Sequence, residues 1–455
     1  METTSRRVMR SPRFRPRPGP SRLRRAGLAV AALMIGSSVL TACGSDGGGK
    51  VTLNWYINPD AQETVDKIAK NCSTDDYSIA VQLLPNNATE QRTQLARRLA
   101  AKDSSTDLMN LDPIFVPEFA SAGWLEPFVD DLSSQALGED VLAGAAATAT
   151  WDGQVVVVPQ WSNTQVLWYR KSLAEAAGLD MSKPVTWKQI IDGAADNGGK
   201  VGVQGNKYEG YVVWINSMIM GAGGNIVTDT EAGRDAKIEI DSDAGRDAAT
   251  IIKQLADSKA AQADLSVSNE GTSLAGLLES KANPGPGSFN VNWTFVYKNQ
   301  VDAEANGDLV KGATKDLGWA RWPATVEGEE SRPPIGGIQV GVGAYSKHTE
   351  MAQEAALCVT NSDAQEALAV EAGLFPSRGS VYESKALTDA FPEDLLALFR
   401  ESIDAAGPRP QSPYYSQISS AVQSVWHPPS SVEPDKTPEE SAKFLSDVLA
   451  GKRLL

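Results

Sequence analysis

Between Val51 and Leu111 the spacing of apolar residues switches repeatedly between two and about three and a half, and this alternation narrows the folds open to the chain. Val51, Leu53, Trp55 and Ile57 alternate with Thr52, Asn54 and Tyr56 as a strand. Val65, Ile68 and Cys72 then fall at helical spacing, with Asp60 as the expected N-cap. A second strand is predicted over residues 78–84, a helix over 89–102 with Leu95 and Leu99 on one face, and a third strand over 107–111. Such a β-α-β-α-β run calls for an α/β fold with parallel strands covered by helices. Ligands of open parallel sheets sit at the carboxyl ends of the strands, where Asn58 and Asp112 are placed.

The N-terminus places that fold outside the cytoplasm. Nine arginines lie between Arg6 and Arg25, an apolar run follows at 26–36, and Leu40, Thr41 and Ala42 precede Cys43. This is the layout of a secretory signal ending in a lipobox. The apolar run is too short for a comfortable membrane span. Residues 1–43 are therefore read as signal and lipobox, with Cys43 as the diacylated first residue of the mature protein, anchored on the outer face of the cytoplasmic membrane. Residues 44–50, rich in glycine, are the flexible tether. Removing the signal takes the net charge from -15 to -23, which argues against nucleic acid as a partner.

About 412 residues remain, enough for two cores. Cys72 and Cys358 are the thiols left in an oxidising compartment, so a disulfide between them is expected, with two separate buried thiols as the alternative. A bridge would require the chain to leave its first lobe and come back. Residues 153–159 and 165–169 read as two strands separated by a connector at 160–164, the first crossing between lobes. The Gly-punctuated strand 336–342 and the following helix 351–359 mark the second crossing, and helices are also predicted at 172–177, 187–195, 243–257 and 273–280.

Catalytic chemistry has little support. His348 and His427 stand in no two-histidine metal spacing and near no nucleophile motif, so neither a metal nor a cofactor is expected. What stands out is a set of carboxylate, amide, guanidinium and indole side chains at the expected lobe edges: Asp112, Asn163, Glu209, Trp214, Glu270, Asn292, Trp293 and Arg409. A neutral sugar needs such groups, because each hydroxyl both donates and accepts while the C–H face needs an aromatic plane.

Several stretches resemble the extracellular solute-binding proteins of carbohydrate ABC importers: the lipobox, Glu90-Gln91-Arg92 with the helix 94–99, Leu111-Asp112, Ala122-Gly123-Trp124, the run 163–170 and Gly336-Gly337. More narrowly, 209–214, Val291-Asn292-Trp293, 371–374 and Arg409-Pro410 with Tyr415 are similar to the trehalose-binding lipoproteins of mycobacteria, whose cysteines fall in matching helices. Ile338, Thr294 and a small insertion at 283–287 depart from that pattern.

The resemblance implies a two-lobed, type II periplasmic-binding-protein fold, a Venus-flytrap with a hinge between lobes. Lobe I would comprise 51–160 and 337–385, and lobe II 161–336 and 386–455. It further implies a monomer that captures trehalose, or a related α-linked disaccharide, and delivers it to the permease subunits of an ABC importer. Asp112, Asn163, Glu270, Trp293, Ile338 and Arg409 would line the site, with Asn58, Glu209 and Trp214 beside them. Asp112 and Glu270 would accept from hydroxyls, Asn163 would do both, Arg409 would donate and Trp293 would stack. Maltose or another oligosaccharide is the alternative ligand. A tethered glycoside hydrolase, and a cell-wall adhesin, are the alternatives from other classes.

Overall fold

The computed structural model describes residues 49–455, so the signal, Cys43 and most of the tether lie outside the described residues. The first strand, β1 (Val51–Ile57), leads into α1 (Gln62–Asn71), β2 (Tyr77–Leu83), α2 (Ala88–Ala100) and β3 (Leu108–Leu111). β1 lies parallel to both β2 and β3. Trp55 and Tyr56, neighbours on β1, enter two different cores. Helices thus cover both faces of the sheet, as a parallel sheet requires. Asn87 caps α2, its side chain accepting from the Thr89 and Glu90 amides. Asp60 does not cap α1. Ala61 takes that place in a left-handed conformation, and the Asp60 carboxylate instead accepts from Asn58 Nδ2 at 2.7 Å.

The first crossing differs from the sequence expectation. Residues 160–164 are not a connector between two strands but the interior of one 13-residue strand, β4 (Val158–Arg170). Beyond it come β5 (Lys200–Gly202), α3 (Glu209–Gly221), β6 (Ser288–Trp293), β7 (Leu317–Ala320) and β8 (Ile335–Val342). Up to Thr164, β4 pairs antiparallel with β8, and from Gln165 onward it pairs with β6, joined from Leu167 by β7. One eight-stranded sheet results, in the order β2-β1-β3-β8-β4-β6-β5 with β7 also on β4. Gln160 and Thr164, which make 160–164 look like a loop, are buried and bonded, as is Gln165 in the stretch beyond. Gln160 Nε2 donates to the Val359 carbonyl at 3.2 Å, Thr164 Oγ1 to that of Pro334 at 2.8 Å, and Gln165 Nε2 to Gln204 Oε1 at 3.0 Å. Satisfied in this way, amides tolerate a buried strand. The helix expected over 273–280 is also absent. A single 3-10 turn at Thr272–Leu274 stands in its place, ended by Gly276 at φ 78°.

From β8 the chain enters α4 (Thr349–Val359) and α5 (Ser362–Ala372), whose Ala355, Ala356 and Leu368 pack under β1 and β8. α6 (Glu393–Ala405) covers the second half of β4, with Phe399 against Trp168. α7 (Tyr415–Trp426) and α8 (Thr437–Leu449) then close the second lobe's core of Trp187, Tyr211, Ile215, Phe289, Ile418 and Trp426.

Cys72, at the end of α1, is bonded to Cys358, near the end of α4, with Cα atoms 5.8 Å apart across a separation of 286 residues. Closing so long a loop stabilises by about 6 kcal/mol in the chain-entropy account. Peptide mapping without reductant is expected to recover the Cys72–Cys358 linked pair, and reduction to lower the thermal midpoint by several degrees. Two alkylatable thiols in folded, exported protein would contradict this.

Candidate ligand-binding cleft

The carboxyl ends of β1 and β3 and the middles of β4 and β8 meet the loops before α3 and β6 around one cavity of about 560 Å³. That size suits a small ligand, for which pockets run from about 300 to 1,000 Å³. Eight of the nine residues expected from sequence line it. Asn58 and Asp112 come from the strand ends, Asn163 and Ile338 from the crossing strands, Glu209, Glu270 and Trp293 from the second lobe, and Arg409 from the segment before α7.

Trp214 is the exception. It follows Val213, which does reach the cavity, and one residue further along a helix points about 100° away. Its indole is buried in the second lobe's core, with ring centroids 5.6 Å from Trp187 and 6.0 Å from Tyr211. Trp161, Tyr208 and Asp60 line the cavity and were missed. Alternation could have found Trp161, since positions 161 and 163 share one face of a strand once β4 is known to be continuous.

Two glycines set the shape of this wall. Gly336 lies opposite Asn163, and a Cβ there would come within 2.8 Å of both Asn163 Oδ1 and the Trp293 ring. Glycine therefore lets the indole stand against the backbone. Gly337 has φ 136°, a region that side chains avoid, and a Cβ would lie 2.2 Å from the Trp161 carbonyl oxygen. Asn163 Oδ1, inaccessible to solvent, receives no hydrogen bond from the described residues.

On the second-lobe side, Asn292 ties two of the lining residues together. Its Oδ1 accepts from the Trp293 amide at 2.9 Å and its Nδ2 donates to the Glu270 carbonyl at 2.8 Å. Burial pushes the Glu270 carboxyl above its ordinary pKa, the Tyr208 hydroxyl draws it back, and the Asp60 charge adds to the rise. Burial and the Glu270 charge together push the Tyr208 phenol far up.

Arg409, 2% exposed, stands between two acids. Its Nη1 donates to Glu209 Oε1 at 2.8 Å and its Nη2 to Asp112 Oδ1 at 2.9 Å. Burial opposes its charge, but Asp112 and the groups around Glu209 outweigh that and raise its pKa, keeping it a cation. The lining thus holds four carboxylates, Asp60, Asp112, Glu209 and Glu270, and one cation, which is already engaged. A wall like this accepts hydroxyl protons and repels anions. Among the described residues, no three His, Cys, Asp or Glu side chains converge to hold a metal.

Gly337→Ala is expected to destabilise the protein by about 1–3 kcal/mol, because strain and a backbone clash coincide at the crossing. Urea unfolding measures it. A variant as stable as the parent would show that β8 can shift away from Trp161.

The comparisons agree with this architecture. The profile described as bacterial extracellular solute-binding protein matches residues 58–366. A probable ABC transporter-binding protein of Deinococcus radiodurans is 24% identical over 75% of this chain and 79% of its own length. The structure is similar to maltose-bound MalE3 of T. maritima, with a TM-score of 0.75 at 24% identity over 89% of this chain and all of that one. It is also similar to the GacH receptor of Streptomyces glaucescens, solved unliganded and with acarbose, at a TM-score of 0.71 and 23% identity over 88% of this chain and 97% of that one. A profile match across more than half the chain, on a two-lobed α/β fold with a cleft between the lobes, makes this protein a member of the bacterial extracellular solute-binding protein family, a binder acting outside the cytoplasm and not an enzyme.

Proposed function

We propose that this protein captures a neutral disaccharide, trehalose or a close α-linked glucoside, and passes it to the membrane permease of an ABC importer while tethered through a lipid on Cys43. The observation that carries the reading is the composition of the cleft. Trp293 and Trp161 offer aromatic planes, Asn58, Asn163, Asp112 and Glu270 offer directional acceptors and donors, and every lining cation is already paired with an acid. Relatives named for transporter binding, and similar structures that hold maltose or acarbose, support the sugar class. Trehalose in particular rests on the motifs at 209–214, 291–293, 371–374 and 409–410. The lobes, 51–160 with 337–385 and 161–336 with 386–455, would close on the ligand about β4 and β8.

Calorimetric titration of the mature protein against a panel tests this. Trehalose is expected to bind at least a hundredfold more tightly than glucose, because polar groups arranged for two rings go unpaired when one is missing. Trehalose 6-phosphate and glucuronides are expected to bind far more weakly than their neutral counterparts, since no free cation meets them. Maltose exceeding trehalose would correct the ligand within the class. Binding of the anionic sugars alone would overturn the reading.

A further inference from the structure

Glu209 lines the cleft yet has almost nothing left to give a ligand. It opens α3 and is 6% exposed. Its Oε1 accepts from Arg409 Nη1 at 2.8 Å and from the Tyr415 hydroxyl, and its Oε2 from Ser419 Oγ at 2.6 Å. Three of roughly four acceptor sites on the carboxylate are thereby filled.

Beyond Arg409 the same relay reaches Asp112, the most exposed of the three charged side chains, at 20% against 2% for Arg409 and 9% for Glu209. Both protein hydrogen bonds to Asp112 land on one oxygen. Oδ1 accepts from the Ile114 amide at 3.3 Å and from Arg409 Nη2 at 2.9 Å. Among the described residues nothing donates to Oδ2. The relay also spans the lobes, because Asp112 follows β3 while Glu209 opens α3, and the Tyr415 ring packs in a first-lobe core 6.3 Å from Phe115.

We propose that Glu209 is a positioning residue that never touches the sugar, and that it acts through Arg409 to hold Asp112 Oδ2 open to a ligand hydroxyl. A guanidinium facing a single carboxylate prefers to fork across both oxygens. Here Glu209 holds Nη1, and with the guanidinium turned that way the Nε–H makes no bond to Asp112 and Nη2 alone reaches it. Without the Glu209 charge, Arg409 turns to take both oxygens of Asp112, and the acceptor meant for the ligand is lost. The ligand part of this argument rests on the sugar-binding reading above; the Arg409 part does not.

The test uses Glu209→Gln, which preserves shape and removes charge, in two measurements. In the ligand-free crystal structure of the variant, Arg409 is expected to fork onto both Asp112 oxygens; an Arg409 that keeps its present contacts overturns the proposal. With trehalose, Glu209→Gln is expected to weaken binding about tenfold in the parent and less than twofold in a D112N background, since the effect passes through Asp112. An equal loss in both backgrounds overturns it, as a purely structural role would give that result. Should E209Q fail to fold, S419A, which removes one anchor of Glu209, is carried through the same two measurements with the same criteria. If the parent protein binds no sugar of the panel, the proposed function fails, while the crystal structure still decides the role of Glu209.

Discussion

The pairing of β4 with β8 is the interaction on which the rest of this structure depends. β4 carries both lobes on one unbroken backbone, bonded to β8 up to Thr164 and to β6 and β7 beyond it. Gly336 lets Asn163 and the Trp293 ring come up against the β8 backbone, and Gly337 lets the Trp161 carbonyl do the same. The cleft wall thus includes the strands about which the lobes are proposed to close.

Electrostatics then decides what the wall can recognise. Burying Arg409 would be costly if it were unpaired, and two acids from different lobes satisfy it. Asp60 and Glu270 have no such partner, so the lining carries more acids than bases. Hydroxyls suit it and anions do not, a local preference in keeping with the net charge of -15 of the whole chain.

Much of this was legible in the residues themselves. Period and spacing placed β1, α1, β2, α2 and β3 within a residue or two, because each buries an apolar stripe that its neighbours define locally. Where long-range partners decide, reading failed. Gln160 and Thr164 resemble a loop until Val359 and Pro334 are seen to take their hydrogen bonds. The helix cap went to Ala61 because Asp60 turned toward Asn58. Trp214 carries a chemistry that suits sugar but faces the core, since helical phase, which residue type does not reveal, decides its direction. Family resemblance brought Ile338 to notice, whereas Trp161 and Tyr208 needed the geometry.

Small-angle scattering of the mature protein, with and without saturating trehalose, tests most directly whether the ligand is held jointly by the two lobes. Asp112 on one side and Glu270 and Trp293 on the other can all touch one sugar only when the lobes come together, so ligand favours the closed state and the radius of gyration should fall. An unchanged curve at proven saturation would contradict the account, placing the site within a single lobe or the protein in a permanently closed form.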